Sequence, residues 1–498
     1  MQNNILKELA EENKFFENEL YKLQQHQNSL NDQLKSIQKA RAYKLWQKMN
    51  KSKKTIICSI VVLNYFGENV IEKTIRSLLE LNFPKEKLEI IIVDNNSKDK
   101  SRTIIDNLVE LNYGLVKKIY LKNNLGFARG NNYGIRMASG KYVALLNNDC
   151  MVDKNWLTEL YKKIRLNEKI FSVGSKILLY PKYFDINLPV VNDFWLNKIV
   201  ISKSKLLDFS KDGEIALPFV FLNSKYLIEV PIDFEEGSKS EFILTFSNYK
   251  KISINNIEKI YSKFLKIKKI YLENNNVVIN CEIHKKASIN YYNKIQNAGS
   301  IVFQDGYGRD IGAVVKYQSQ NYEKDLGQFN KDKEVYSTCG AAVLYNKRIL
   351  DKIGYLDETF FMYYEDTEIS ERARILGYKN YYCHKAVVRH LHALSSKEWS
   401  PFFIFNVEKG RLLHLYYTFP KKIFIKELIE FAIKSQYKLL KSFKNKKGRL
   451  NNWQNNKVFL DFVTNFFKYR KNKLNKNLKL HDIKKNYNSI IEGHWYFN

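Results

Sequence analysis

The sequence predicts an α/β protein on an open, mostly parallel sheet, with a helix before it, a β-rich insertion within it and a helical tail after it. Three observations carry that expectation. Between about 55 and 150, short apolar runs alternate with stretches of helical periodicity, the pattern of successive βαβ units. Each apolar run stops abruptly in polar residues, which puts polar groups at the carboxyl edge of the sheet, where such folds bind ligands. From about Tyr180 the alternation gives way to short β-forming segments.

A chain of 498 residues is too long for one compact domain, and 45% hydrophobic residues with 33 Tyr and 31 Phe can fill a real core. Cys58, Cys150, Cys281, Cys339 and Cys383 are scattered, odd in number and without a CxxC pair. That usage predicts reduced, mostly buried thiols in a cytosolic protein and argues against a zinc site. The amino terminus is too polar for a signal peptide, and no apolar run reaches membrane-span length. The net charge of +30 calls for an anionic partner: nucleic acid, membrane lipid or a phosphorylated substrate.

Taken in order, residues 1–50 carry Leu6, Leu9, Phe16, Leu20, Leu23, Leu30, Leu34 and Ile37 at threes, fours and sevens. This spacing predicts an amphipathic helix or short coiled coil, suited to a homodimer. After the basic linker Asn50–Lys54, an apolar strand runs from Thr55 to Leu63 and ends in Asn64-Tyr-Phe-Gly67. A helix through Ile71, Ile75, Leu78 and Leu79 is stopped by Pro84. Strand Leu88–Val93 then breaks into Asp94-Asn-Asn-Ser-Lys-Asp99. A helix over Ile104–Leu111, a strand over Leu115–Leu121, the turn Asn123-Asn-Leu-Gly126 and a helix over Gly130–Ala138 follow. No Rossmann glycine fingerprint follows the first strand, which argues against an NAD-type dehydrogenase.

The most informative stretch is Gly140 to Asp153. Tyr142–Leu146 reads as a buried strand that delivers Asn147-Asn-Asp149 to the sheet edge. One carboxylate beside amides suits a hard cation, Mn²⁺ or Mg²⁺, holding a diphosphate; an ordinary Asn/Asp turn is the plainer alternative. A second cluster joins Thr338–Leu344 to Gly354–Asp366, where Glu365 and Asp366 follow an aromatic run and open a helix over Thr367–Leu376. Helix capping alone accounts for carboxylates there. A third block, Ala386–Ser396, puts His390 and His392 on one face of a strand.

Val61–Tyr65, Val93–Asp99, Asn124–Asn132 and Leu145–Asp149 resemble the successive blocks of the family 2 inverting glycosyltransferases of GT-A type Rossmann-like fold, above all their rhamnosyltransferase-like bacterial surface-polysaccharide branch. The resemblance covers about 55–180 and 295–420. It implies a nucleotide-diphosphate sugar bound by Asn64, Asp94, Asn96, Gly126, Asn131, Asn148 and Asp149, with Asp94 on the base. It implies a divalent metal, Mn²⁺ or Mg²⁺, on Asp149 with His390 or His392. It places the catalytic base in the Glu365–Asp366 pair, with Asp366 the base and Glu365 orienting the site or binding the acceptor. Asn147 stands where the family's DxD motif has its first Asp, which weakens the metal site's charge and leaves a catalytically dead transferase as an alternative.

The predicted organisation is therefore a coiled coil (1–50), a nucleotide-sugar-binding half (55–181), an inserted β-rich module (182–294), an acceptor and catalytic half (295–420) and a basic tail (421–498). The tail holds 19 Lys and Arg against five Asp and Glu. Aromatic residues opposite its lysines suit an anionic membrane surface, and a helical cap on the catalytic domain is the alternative. A cytoplasmic enzyme, peripheral on the inner face of the membrane, with a glycan or lipid-linked glycan acceptor, is the expectation. A nucleotidyltransferase would need a phosphate loop that Asn64–Glu68 does not supply. A basic membrane or nucleic-acid scaffold explains the charge but not the carboxylates and histidines at strand ends, so nucleic acid is disfavoured as a partner.

Overall fold

The computed structural model describes residues 55–189, 291–391 except 317 and 318, and 400–488 except 442–445 and 477. It also describes Ile490, the elements between 194 and 283, and six exposed helical residues between Gln25 and Ser36. The coiled-coil and homodimer expectation for 1–50 otherwise lies outside the described residues, as does His392.

The predicted GT-A type, mostly parallel sheet is present. Its ten strands are β1 (Cys58–Asn64), β2 (Leu88–Asp94), β3 (Val116–Tyr120), β4 (Tyr142–Asn147), β5 (Cys150–Val152), β6 (Ile170–Leu179), β7 (Ile295–Asn297), β8 (Lys333–Val335), β9 (Ala342–Asn346) and β10 (Lys379–His390). They lie in the order β3-β2-β1-β4-β9-β6-β10-β8, with β7 on β6 and β5 on β10. β1 to β4 pair in parallel, as do β6 and β10, while β9 runs antiparallel between β4 and β6.

Strands β1 and β2 are buried at every position because helices cover both faces of the sheet. On one face Ile60, Val62, Ile90 and Ile92 pack against α1 (Ile71–Leu79), α2 (Ser101–Leu111) and α4 (Trp156–Ile164). On the other, Val61, Leu63, Ile91 and Val93 pack against α3 (Gly126–Met137), α5 (Lys347–Ile353) and α6 (Glu365–Ile375). Helix α3 comes close to the sheet through glycines: a Cβ on Gly134 would lie 2.3 Å from Val61, and one on Gly130 2.6 Å from Leu63.

Between β6 and β7 the chain forms two antiparallel sheets. One joins Lys182–Pro189, Lys225–Ile232 and Phe219–Leu222; the other orders Leu265–Glu273, Asn276–Ile283, Glu241–Asn248, Phe194–Lys203 and Ile215–Ala216. Leu188 and Ile228 of the first sheet share one apolar core with Ile199, Phe242 and Phe246 of the second.

After β10 come α7 (Pro401–Thr418), α8 (Lys421–Lys441), α9 (Lys446–Thr464), α10 (Phe466–Asn475) and α11 (Leu480–Tyr487). Ser400 caps α7 by accepting from the Phe403 N–H, with Pro401 in the first turn. The tail is packed on α7 and on the start of α6. Leu412, Leu415, Phe424, Phe431, Phe462 and Tyr469 form one core, and Lys476 of the tail pairs with half-buried Asp357 and buried Glu368 at 2.8 and 2.9 Å. No helix among the described residues is long and apolar enough to cross a membrane.

Candidate functional site

Parallel strands that end together bring their terminal residues together, and here those residues are Asn64, Asp94 and Asn147. Asp94 is fully buried. Its Oδ1 accepts from Arg102 Nε at 2.7 Å and from the Ser97 N–H, and its Oδ2 accepts from Asn64 Nδ2. Asn148 Nδ2 donates to Asn64 Oδ1 at 2.9 Å, so Asn64, Asp94 and Asn148 form one braced network at the carboxyl edge. Gly67 must be glycine there, because a Cβ would fall 2.1 Å from Asn64 Oδ1. Asn96 beside it is half-buried at φ 67° and accepts from Lys98. Asn131 is buried and donates back to the Phe127 carbonyl of its own helix. Gly126 opens α3 at φ 78° with the Phe361 carbonyl against it, 2.4 Å from where a Cβ would stand.

The turn from β4 to β5 carries Asp149, and β5 pairs with the end of β10, which sets Cys150 opposite His390. His390 Nε2 lies 3.0 Å from Asp149 Oδ1, and both residues are buried. On the far side of the ring, Nδ1 lies 2.8 Å from Gln296 Oε1 of β7. With the Nδ1 proton directed at Gln296, the Nε2 lone pair faces the carboxylate. Two electron-pair donors held that close fit a divalent cation. Cys150 is the third member of this cluster, but burial pushes its thiol well above the usual range, and its Sγ lies 3.7 Å from the Ala341 carbonyl. Gln296 was not legible as a partner, because it stands 94 residues from His390. Replacing Gln296 by Leu should weaken Mn²⁺ binding by about 10- to 100-fold while the fold survives, as read by metal-dependent melting.

The Glu365–Asp366 pair sits at the start of α6, after two residues in the left-handed region, Tyr363 and Tyr364 at φ 68° and 69°. Strain of that kind persists only where the surroundings enforce it. The Phe361 carbonyl accepts from the Phe127 N–H at 2.6 Å, and the rings of Phe361 and Tyr363 meet Phe402 and Phe403 of α7. The two carboxyls differ in their surroundings. Asp366 accepts from the N–H groups of Gly340 and Thr367 at 2.8 and 2.7 Å, which stabilises its anion, although burial still raises its pKa above the ordinary value. Glu365 is 4% exposed, and its Oε2 has no hydrogen-bond donor among the described residues. Burial first, and the neighbouring Asp366 charge second, push the Glu365 carboxyl well above its ordinary range.

One further carboxylate was not anticipated from the sequence. Asp310 accepts from Asn297 Nδ2 and Ser300 Oγ at 2.7 and 2.8 Å. Burial raises it to about 6, with smaller effects from the Asp366 charge and, in the opposite sense, from His390.

The carboxyl edge of the sheet thus carries the Asp149–His390 pair, and the Asp366 carboxylate stands at the start of α6. Residues 59–210 match the profile of Glycosyl transferase family 2, and over that span the chain carries a family 2 domain. Among curated proteins, an uncharacterized glycosyltransferase of Haemophilus influenzae is 29% identical over 24% of this chain and 36% of its own length. The putative teichuronic acid biosynthesis glycosyltransferase TuaG of Bacillus subtilis is 27% identical over 32% of this chain and 66% of its own. The poly(ribitol-phosphate) beta-N-acetylglucosaminyltransferase TarP of Staphylococcus aureus is 28% identical over 24% and 36%. In each case the match spans less than two thirds of the relative's length.

Proposed function

We propose that the protein is a metal-dependent inverting glycosyltransferase. It moves a sugar from a nucleotide-diphosphate donor to a glycan or lipid-linked glycan acceptor in bacterial surface-polysaccharide synthesis. The observation that carries this is the pairing of Asp149 with His390, 3.0 Å apart at the carboxyl edge of the sheet, with Asp149 inside the segment that matches Glycosyl transferase family 2. The relatives named for teichuronic acid and poly(ribitol-phosphate) chemistry support the acceptor class.

In this reading Asn64, Asp94, Asn96, Gly126, Asn131 and Asn148 belong to the donor side, where Asp94 and its braced neighbours shape the pocket for the base. Asp149 and His390 would hold the cation, Mn²⁺ or Mg²⁺. Bound there, the cation neutralises charge that builds on the departing diphosphate. Asp366 takes the proton of the acceptor hydroxyl as its oxygen attacks the anomeric carbon. The bond from that carbon to the diphosphate oxygen breaks, the nucleoside diphosphate leaves with the electron pair, and the configuration inverts.

Glu365, beside the base, orients the acceptor by hydrogen bonding. Glu365→Gln should therefore cost no more than about tenfold in turnover, the worth of one such bond. The reading is tested by incubating the protein with UDP-, dTDP- and GDP-sugars and Mn²⁺ and assigning the anomeric configuration of the product by NMR. An inverted product supports it, and a retained one refutes the Asp366 role. Absence of any donor turnover favours a catalytically dead transferase or a basic scaffold, in line with Asn147.

A further inference from the structure

Helix α8 has two apolar faces, and the fold uses one of them. Phe424 and Phe431 are buried in the core shared with α7 and α9. Ile425, Ile429, Ile433, Tyr437 and Leu440 are exposed, at 42%, 54%, 64%, 62% and 67%. At about 100° per residue these five fall within an arc of about 120°, a continuous row along a helix about 32 Å long. Single exposed apolar residues are ordinary, but a contiguous row marks an interaction surface.

The charges around the row say what it meets. Lys421, Lys422, Lys426 and Lys434 are all exposed. Glu430 lies 3.7 Å from Lys426 and 3.0 Å from Lys434, so its charge is covered. The helix's other carboxylate, Glu427, is buried beside Arg411 at 3.4 Å. We propose that this face of α8 docks onto an anionic lipid bilayer, with the apolar row at the boundary between headgroups and acyl chains and the lysines among the phosphates. A second copy of the same face would set lysines against lysines, and a nucleic acid would leave the five apolar side chains unexplained. Docking would be in the plane of the surface. Trp453 and Leu460 of α9 and Phe467 and Leu474 of α10, also exposed, add apolar surface to the same tail. The inference does not depend on the sugar chemistry.

The test is co-sedimentation of the full chain with phosphatidylcholine vesicles with and without phosphatidylglycerol, alongside donor hydrolysis and solution mass. The parent should bind the anionic vesicles about tenfold or more better than the neutral ones, with the difference shrinking in high salt. Ile429→Ser, Ile433→Ser and Tyr437→Ser together should lower vesicle binding about tenfold or more at an unchanged melting temperature. Lys422→Glu with Lys426→Glu should remove the preference for phosphatidylglycerol, and neither variant should alter hydrolysis of a soluble donor. Three results would overturn the proposal: a parent that ignores the anionic vesicles, a triple variant that binds them as the parent does, or a parent dimer that the triple variant dissociates. Donor hydrolysis is read separately, so failure of the transferase reading is distinguishable from failure of this one.

Discussion

Replacing Asp366 by Asn should lower kcat by about 10²–10⁴-fold, the usual contribution of a positioned general base, while donor binding stays within a few-fold of the parent. The amide keeps the size and the place at the start of α6 but cannot accept the acceptor's proton. The Gly340 and Thr367 N–H groups donate to different oxygens of the carboxylate, so the amide keeps one of these bonds and turns its NH2 toward the other donor, and melting of the variant is read beside its rate. The pH dependence follows from the direction of the shift. Burial raises the Asp366 pKa above its ordinary 3.8, and the base acts only as the anion. Turnover in the parent should therefore rise with pH through that raised value and then level off. A steady-state pH profile of both proteins checks this: the variant should lose the rising limb as well as the rate. An Asp366→Asn variant with parental kcat would move the base elsewhere.

Replacing Asp149 by Ala should cost about 10³-fold in turnover, because charge on the departing diphosphate would lose its cation, worth several kcal/mol at about 1.4 kcal/mol per tenfold. It should also abolish metal dependence. In the parent, His390 Nδ1 lies 2.8 Å from Gln296 Oε1, and Nε2 faces Asp149 at 3.0 Å. Without the carboxylate, the ring remains on β10 but faces no second ligand. Assays across a Mn²⁺ titration separate this variant from Asp366→Asn, whose metal response should match the parent's.

The sheet was readable in the sequence because its strands are short β-branched runs with hard polar stops, such as Ile90 to Val93 before Asp94. Helix starts were less readable. The helix expected from Ile104 begins at Ser101, where Asp99 Oδ1 accepts the Ser101 N–H and turns the chain early. The helix expected from Gly130 begins at Gly126, because glycine reads as a breaker in sequence while the fold uses Gly126, Gly130 and Gly134 for close approach. In the site, Asp149, His390, Glu365 and Asp366 stood out as strand-end and helix-start residues. Gln296 and Asp310 did not, since ordinary residues acquire their place only when β7 and the following turns come back to the sheet edge. In the tail, periodicity showed that α8 is amphipathic but merged its inward row, Phe424 and Phe431, with its outward one.

The central claim is that a nucleotide sugar and a divalent cation bind together at the Asp149–His390 edge of the sheet. Thermal melting of the parent protein with UDP-, dTDP- and GDP-sugars, each with Mn²⁺ or with a chelator, measures this directly. One nucleotide with metal should stabilise the fold by about 2.7 kcal/mol at a hundredfold excess over Kd, and the chelator should remove most of the gain. Equal stabilisation with and without metal, or none from any donor, would contradict the account.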